Sequence, residues 1–171
     1  MRCASTAQVI GQRPLTRHAG FSLVELLVVI AIMAVLASIG LPLAELSHQR
    51  TKEEELRRSL REIRSAIDAY KQLVDQGRIQ KAADSSGYPP RLDLLVSGVV
   101  DSRSPQGQKL YFLRRLPRDP FAPSESTTAA DTWGLRSYVS SAEAPKEGVD
   151  VYDIYSRAPG LGLDGTAYRQ W

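Results

Sequence analysis

Nineteen consecutive uncharged residues, Leu26 to Ala44, constrain this chain more than anything else in it. The run is rich in Leu, Val, Ile and Ala, and at 1.5 Å rise per residue a helix of that length covers roughly the 30 Å hydrocarbon core of a bilayer. One carboxylate, Glu25, stands directly ahead of it, and Arg2, Arg13 and Arg17 precede that with no acid among residues 1–20. Basic flanks stay on the cytoplasmic side of a membrane, so the body that follows the span is expected outside the inner membrane. An unpaired charge in lipid costs at least about 2.5 kcal/mol. Glu25 therefore needs a partner.

The charge balance narrows the function classes. The chain carries 22 basic and 19 acidic residues for a net charge of +3, and the three N-terminal arginines account for all of that excess. From residue 21 onward the balance is zero, which gives no reason to expect nucleic acid as a partner. The single cysteine, Cys3, falls in the basic N-terminal stretch. It is too near Met1, with no apolar stretch before it, to be a lipidated cysteine, and without it no disulfide framework or cysteine metal site is available. The 171 residues, less the basic stretch and the apolar run, leave about 125 for one small domain.

Three interpretations of the N-terminal segment compete. A cleavable secretory signal needs a short apolar core and a small-residue site, whereas this run is longer and its available site, Ser38-Ile39-Gly40, is weak. A plain single-pass anchor accounts for length and orientation and leaves Glu25 without a role. The third starts from Gly20-Phe21-Ser22-Leu23-Val24-Glu25, in which a basic stretch ends in glycine and is followed by phenylalanine, glutamate and an apolar helix. This resembles the class III leader junction of type IV pilins and type II secretion pseudopilins. The resemblance implies a membrane peptidase that cuts between Gly20 and Phe21 and N-methylates Phe21.

Such a cut creates an α-ammonium on Phe21, the counter-cation that Glu25 otherwise lacks. Residues 21 and 25 are four apart, so a pair within one helix is open, as is a pair between Glu25 of one subunit and Phe21 of its neighbour. At an effective dielectric near 20, two unit charges about 4 Å apart attract by roughly 4 kcal/mol, enough to offset the cost of burying the carboxylate. Pro42, with Gly40 just before it, predicts a kink or locally melted stretch near residues 39–42, because proline removes an amide donor and clashes with the preceding turn.

Beyond the span, Leu56, Leu60, Ile63, Ile67, Tyr70 and Val74 recur at spacings of four and three, one stripe of an amphipathic helix that covers a globular body. Glu53 with Arg57 and Glu54 with Arg58 stand at i, i+4 on the opposite face, and the helix is expected to stop at Gly77. "YPPRLDLLVSG" predicts a short helix closed by Gly98. Residues 101–132, with four prolines, are expected to be irregular apart from a structured piece at Lys109 to Leu113. Strands are predicted at Leu135–Ser141 and Val149–Tyr155, with a third near Tyr168–Trp171. The expected fold class is α+β, a long helix on a small antiparallel sheet. Its expected divisions are a leader at 1–20, a membrane-spanning helix at 21–44, an amphipathic continuation at 45–77, a connecting region at 78–132, and a sheet with C-terminal loop at 133–171.

The C-terminal half is similar to the G-type major pseudopilins of type II secretion, a type IV pilin-like fold. Leu116-Pro117-Arg118-Asp119-Pro120, Trp133-Gly134, Asp153-Ile154-Tyr155-Ser156 and Trp171 carry that resemblance, although Phe121 replaces a tryptophan and about a dozen residues intervene before Trp133. In that family an acidic loop binds calcium, and a protein calcium site takes six to eight oxygen ligands. Between Ser156 and Trp171 this chain offers one carboxylate, Asp164, so the expectation is a glycine-rich turn formed by Asp164. Asp164 with backbone carbonyls remains the candidate should calcium bind.

Catalysis lacks a constellation. Past residue 20 the sole histidine is His48, at the membrane edge, so neither a hydrolase triad nor a histidine metal pair can assemble. The reading is a non-enzymatic pseudopilin subunit held in the inner membrane until it enters a periplasmic fibre that drives protein export. By resemblance its partners are its own copies and other pseudopilins, the prepilin peptidase, and an inner-membrane assembly platform with its ATPase. A minor pilin of a type IV pilus or competence system shares the N-terminal half and stays the alternative.

Overall fold

The computed structural model describes residues 20–123, 125 and 128–171. The expected leader therefore lies, apart from Gly20, outside the described residues. Helix α1 runs over Leu23–Asp75 without interruption, including the turn at Gly40 and Pro42. By its contacts the chain divides into two compact units, Met1–Leu43 and Ala44–Trp171.

In the first unit the described side chains of α1, apolar apart from Glu25 and Ser38, are exposed. Its most apolar window has mean hydropathy 2.8 and is 0% buried, and Phe21, Leu23 and Val24 are 80%, 75% and 65% exposed. Backbone hydrogen bonding explains why such a segment is helical, since every N–H and C=O must be satisfied within the segment when no water is present.

In the second unit the heptad-like stripe is the core. Leu56, Leu60, Ile63, Ile67, Tyr70 and Val74 are all buried, with Leu56 and Ile63 at 0% exposure. Leu92, Leu95, Leu113, Trp133, Val151, Ile154 and Tyr168 close over them. Helix α1 ends where Gly77 takes a φ of 70°. The Gly77 amide donates to the Val74 carbonyl (2.9 Å) and the Arg78 amide to the Leu73 carbonyl (2.9 Å), the Schellman arrangement that satisfies the last carbonyls of a helix.

After α1 come α2 (Leu94–Ser97), β1 (Val99–Val100), β2 (Lys109–Leu110), a 3-10 turn at Ala130–Thr132, β3 (Trp133–Arg136), β4 (Asp153–Ser156) and a final 3-10 turn at Tyr168–Gln170. Strands β1 and β2 pair antiparallel, Val99 opposite Leu110. Strands β3 and β4 pair antiparallel from Trp133 opposite Ser156 to Arg136 opposite Asp153. A long helix with small antiparallel sheets is the expected α+β class.

Three local expectations are corrected. The strand expected at 135–141 sits at Trp133–Arg136 because Ser137 leaves the ladder: its amide donates to the Lys146 carbonyl (2.9 Å) and its hydroxyl to Asp150 (2.7 Å). The strand expected at 149–155 starts only at Asp153, since the Val151 amide donates to the Pro89 carbonyl (2.8 Å). Tyr168–Trp171 forms no strand. A 3-10 turn superposes side chains at i and i+3, and it sets the Tyr168 and Trp171 rings edge to face at 5.1 Å.

Candidate functional site

Gly20, Phe21 and Ser22 lie ahead of the helix and are exposed. The first α1 bond runs from the Leu26 amide to the Ser22 carbonyl at 3.0 Å, which makes Ser22 the N-cap and Glu25 the third helical residue. That serine-to-glutamate spacing is the capping-box pattern, and a carboxylate in the first turn meets the positive end of the helix dipole. The peptide bond between Gly20 and Phe21 is thus outside regular structure and accessible, as a proteolytic site requires. Since Phe21 precedes the helix, the two residues do not share a helical face in the unprocessed chain. The partnership expected of a Phe21 ammonium with Glu25 therefore involves a terminus just outside the first turn.

The second candidate region is the C-terminal loop, and the structure assembles it from residues that sequence spacing placed on a solvated helix face. Glu53 is only 7% exposed. Its Oε1 accepts from the Leu163 amide (2.9 Å), the Tyr168 hydroxyl (3.0 Å) and the Gln49 side-chain amide (3.0 Å). Arg57, expected to pair with Glu53, instead donates to Asp164 Oδ2 at 2.7 Å. Its guanidinium lies 4.1 Å from the Trp171 ring centre. The physical reason for the exchange is that Leu163 and Tyr168 bring two donors against the helix, and a buried donor needs an acceptor. The signal was present, because Glu53 stands three before Leu56 and so prolongs the buried stripe by one step.

Arg64, one turn beyond Leu60, ties α1 both to β4 and to Trp171. It donates to Asp153 Oδ1 (2.7 Å), the Ile154 carbonyl (3.1 Å) and the Trp171 backbone oxygen (2.7 Å). Asp153 also accepts from Arg136 at 3.1 Å.

The motifs 116–120, 133–134 and 153–156 interlock. Trp133, fully buried, donates its indole N–H to the Pro117 carbonyl at 2.9 Å. Asp119 accepts from the Ser156 hydroxyl (2.5 Å) and the Phe121 amide (2.8 Å). A Cβ on Gly134 would lie 2.3 Å from the Tyr155 ring across the ladder, so only glycine leaves room for that ring.

Asp164 does not sit in a cation cage. Its Oδ1 accepts from the Thr166 amide (2.9 Å) and its Oδ2 from Arg57. Its pKa is held below 3.8 by the Thr166 backbone bond first, against some desolvation, and by Arg57. Among the described residues no three His, Cys, Asp or Glu side chains converge as metal ligands. A calcium ion needs six to eight oxygens, and the loop supplies one carboxylate whose oxygens are both engaged. The residues present do not fit calcium.

Comparison with known proteins gives three further findings. Residues 15–41 match the prokaryotic N-terminal methylation motif. The chain is similar to type II secretion system core protein G of Klebsiella pneumoniae, 32% identical over 61% of this chain and 70% of the relative. It is also similar to the proteins of that name from Klebsiella michiganensis, 27% identical over 77% of this chain and 87% of the relative, and from Aeromonas hydrophila, 28% identical over 88% and 87%. No solved structure gives a significant match.

Proposed function

The chain belongs to the type II secretion system core protein G family, and from that premise we propose how its residues carry out the family's role. It is a membrane-anchored pseudopilin, a structural subunit and not an enzyme. It polymerises through its N-terminal helix into the pseudopilus of a type II secretion system, assembling with other pseudopilins to drive protein export. The shared name of these relatives favours secretion over the minor-pilin alternative.

The finer steps are our reading. A prepilin peptidase cuts between Gly20 and Phe21 and methylates Phe21, an assignment supported by the exposure of both residues and by the motif match at 15–41. The preceding arginines favour an inner-membrane anchor with the second unit on the periplasmic side. From there the subunit is drawn into a periplasmic fibre by an inner-membrane platform whose ATPase acts from the cytoplasm.

One observation carries this reading: an exposed stretch of α1 with mean hydropathy 2.8 and one acid, Glu25, in the first turn of the helix. In lipid that carboxylate is penalised until the Phe21 ammonium of its own or a neighbouring chain approaches, and roughly 4 kcal/mol of attraction at about 4 Å then fixes the stagger between helices. Gly40 and Pro42 lie within α1, where a missing amide donor and a glycine lower the cost of bending. We assign them the kink that lets the helix loosen during assembly.

The test is Glu25→Ala in the full chain. Mass spectrometry should find the variant cut and methylated at Phe21, while cross-linking of membranes should find no fibre. Normal polymers of unaltered stagger from this variant would remove Glu25 from assembly, and a mature terminus elsewhere than Phe21 would overturn the processing assignment.

A further inference from the structure

We propose that the C-terminal loop of this subunit is closed by an internal cation, the Arg57 guanidinium, and that its folding and protection are independent of divalent metal. The geometry has three parts. Arg57 reaches from α1 to Asp164 Oδ2 at 2.7 Å, and the Thr166 amide holds the other oxygen of that carboxylate. The same guanidinium stacks on Trp171 at 4.1 Å, so one side chain fixes both the middle and the end of the loop. Glu53, one helical turn earlier, holds the Leu163 amide and the Tyr168 hydroxyl.

A guanidinium suits this position. Its planar fork engages a carboxylate and an aromatic face at once, and it is charged at every physiological pH. A calcium ion within about 2.4 Å of either Asp164 oxygen would also stand within ion-pairing range of a fixed positive charge, with no second carboxylate in the loop to offset the repulsion. The loop backbone is closed without a ligand as well: the Gly162 amide donates to the Thr166 carbonyl (2.8 Å) and the Gly165 amide to the Gly162 carbonyl (2.9 Å). Among the described residues the buried Trp171 indole N–H has no hydrogen-bond partner, so that ring is held by its faces and edges, against Arg57 and Tyr168.

The inference rests on the geometry of a single subunit and not on fibre assembly, so it is tested on the dispersed, processed full chain in detergent micelles. Thermal unfolding is followed by tryptophan fluorescence, with limited proteolysis reporting cleavage beyond Ser156. Wild-type protein should give the same midpoint and the same protection in millimolar calcium and in EDTA, and calorimetric titration with calcium chloride should show no saturable heat. Arg57→Ala should lower the midpoint by about 2–4 °C and expose the loop to protease, in calcium and in EDTA alike. Trp171→Phe should retain most of the protection because it forfeits no hydrogen bond. Arg61→Ala, an exposed arginine one turn away, serves as the control and should change neither readout. A calcium-dependent rise in the wild-type midpoint, saturable calcium binding, or an Arg57→Ala loop as protected as that of Arg61→Ala would each overturn the proposal. If Arg57→Ala fails to fold, the wild-type calcium titration and Asp164→Asn decide the same question.

Discussion

Asp119 offers the sharpest perturbation of the second unit. It is 3% exposed and accepts from the Ser156 hydroxyl at 2.5 Å and the Phe121 amide at 2.8 Å, while Ser156 itself is 0% exposed. Hydrogen bonds to a charged acceptor contribute about 1.5–3 kcal/mol each. Asp119→Ala removes both and leaves the buried Ser156 hydroxyl and the part-buried Phe121 amide without that acceptor, a loss of at least about 3 kcal/mol. In a chain of this size each kcal/mol moves the unfolding midpoint by about 2–4 °C, so a fall of roughly 6–12 °C is expected. Asp119→Asn keeps an acceptor oxygen and should lose less than half of that. Ser156→Ala in the Asp119→Ala background should cost only the Ala158 amide's bond to the Ser156 hydroxyl (3.1 Å), because the bond between the two side chains is already gone and their effects are not additive.

The assay is thermal unfolding of the full chain in detergent, read at Trp133, whose indole N–H is anchored to the Pro117 carbonyl two residues from Asp119. Processing at Phe21 should be unchanged. A midpoint within about 2 °C of wild type, or full additivity with Ser156→Ala, would refute the reasoning that Asp119 locks the three motifs together.

Gly134→Ala should destabilise by about 1–3 kcal/mol, because its Cβ would lie 2.3 Å from the Tyr155 ring; Tyr155→Ala in the same chain should recover part of that loss in a urea titration. Asp150 feels desolvation that raises its pKa, but hydrogen bonds from Ser86, Ser137 and the Tyr138 amide outweigh it and hold the group below 3.8. A carboxyl lowered by folding adds stability that is present above pH 3.8 and is lost as pH falls through its folded value. Asp150→Asn should therefore flatten the acid limb of the stability curve below pH 3.8, and an unchanged limb in chemical denaturation at stepped pH would contradict the assignment.

The helical part of the fold was legible because its periodicity is long. Six stripe residues from Leu56 to Val74 share one spacing rule, and burial follows it at every position. Gly77 was legible for a related reason, since a left-handed φ at a helix end is a one-residue signal. The sheet was legible only in outline. Strands of two and four residues carry too few alternations to fix a boundary, and the ends of β3 and β4 are set by Ser137 and Val151, whose partners Asp150, Lys146 and Pro89 lie outside both strands. The C-terminal loop was misread at Glu53 for a clearer reason: i, i+4 spacing on a helix describes a pair in water, and it yields when buried donors from another segment compete for the same acceptor. Asp119 was quoted as part of a motif with no physical role attached, because nothing local indicates that its partner is Ser156.

Those hub residues explain how a small body holds together with little ladder. No described residue is a cysteine, so the cross-links that small exported domains gain from disulfides are absent from this part of the chain. Polar side chains join the same kind of sequence-remote segments: Glu53 to Leu163 across 110 residues, Arg64 to Trp171 across 107, Ser86 to Asp150 across 64 and Asp119 to Ser156 across 37. A disulfide constrains the unfolded chain and is broken by reductant. Among these links Asp150 is the one through which protons act, since the hydrogen bonds it accepts from Ser86, Ser137 and the Tyr138 amide lower its pKa against desolvation and are lost when it is protonated. The ion pair of Arg57 with Asp164, which joins the loop to the helix, does in permanent form what a bound cation does conditionally.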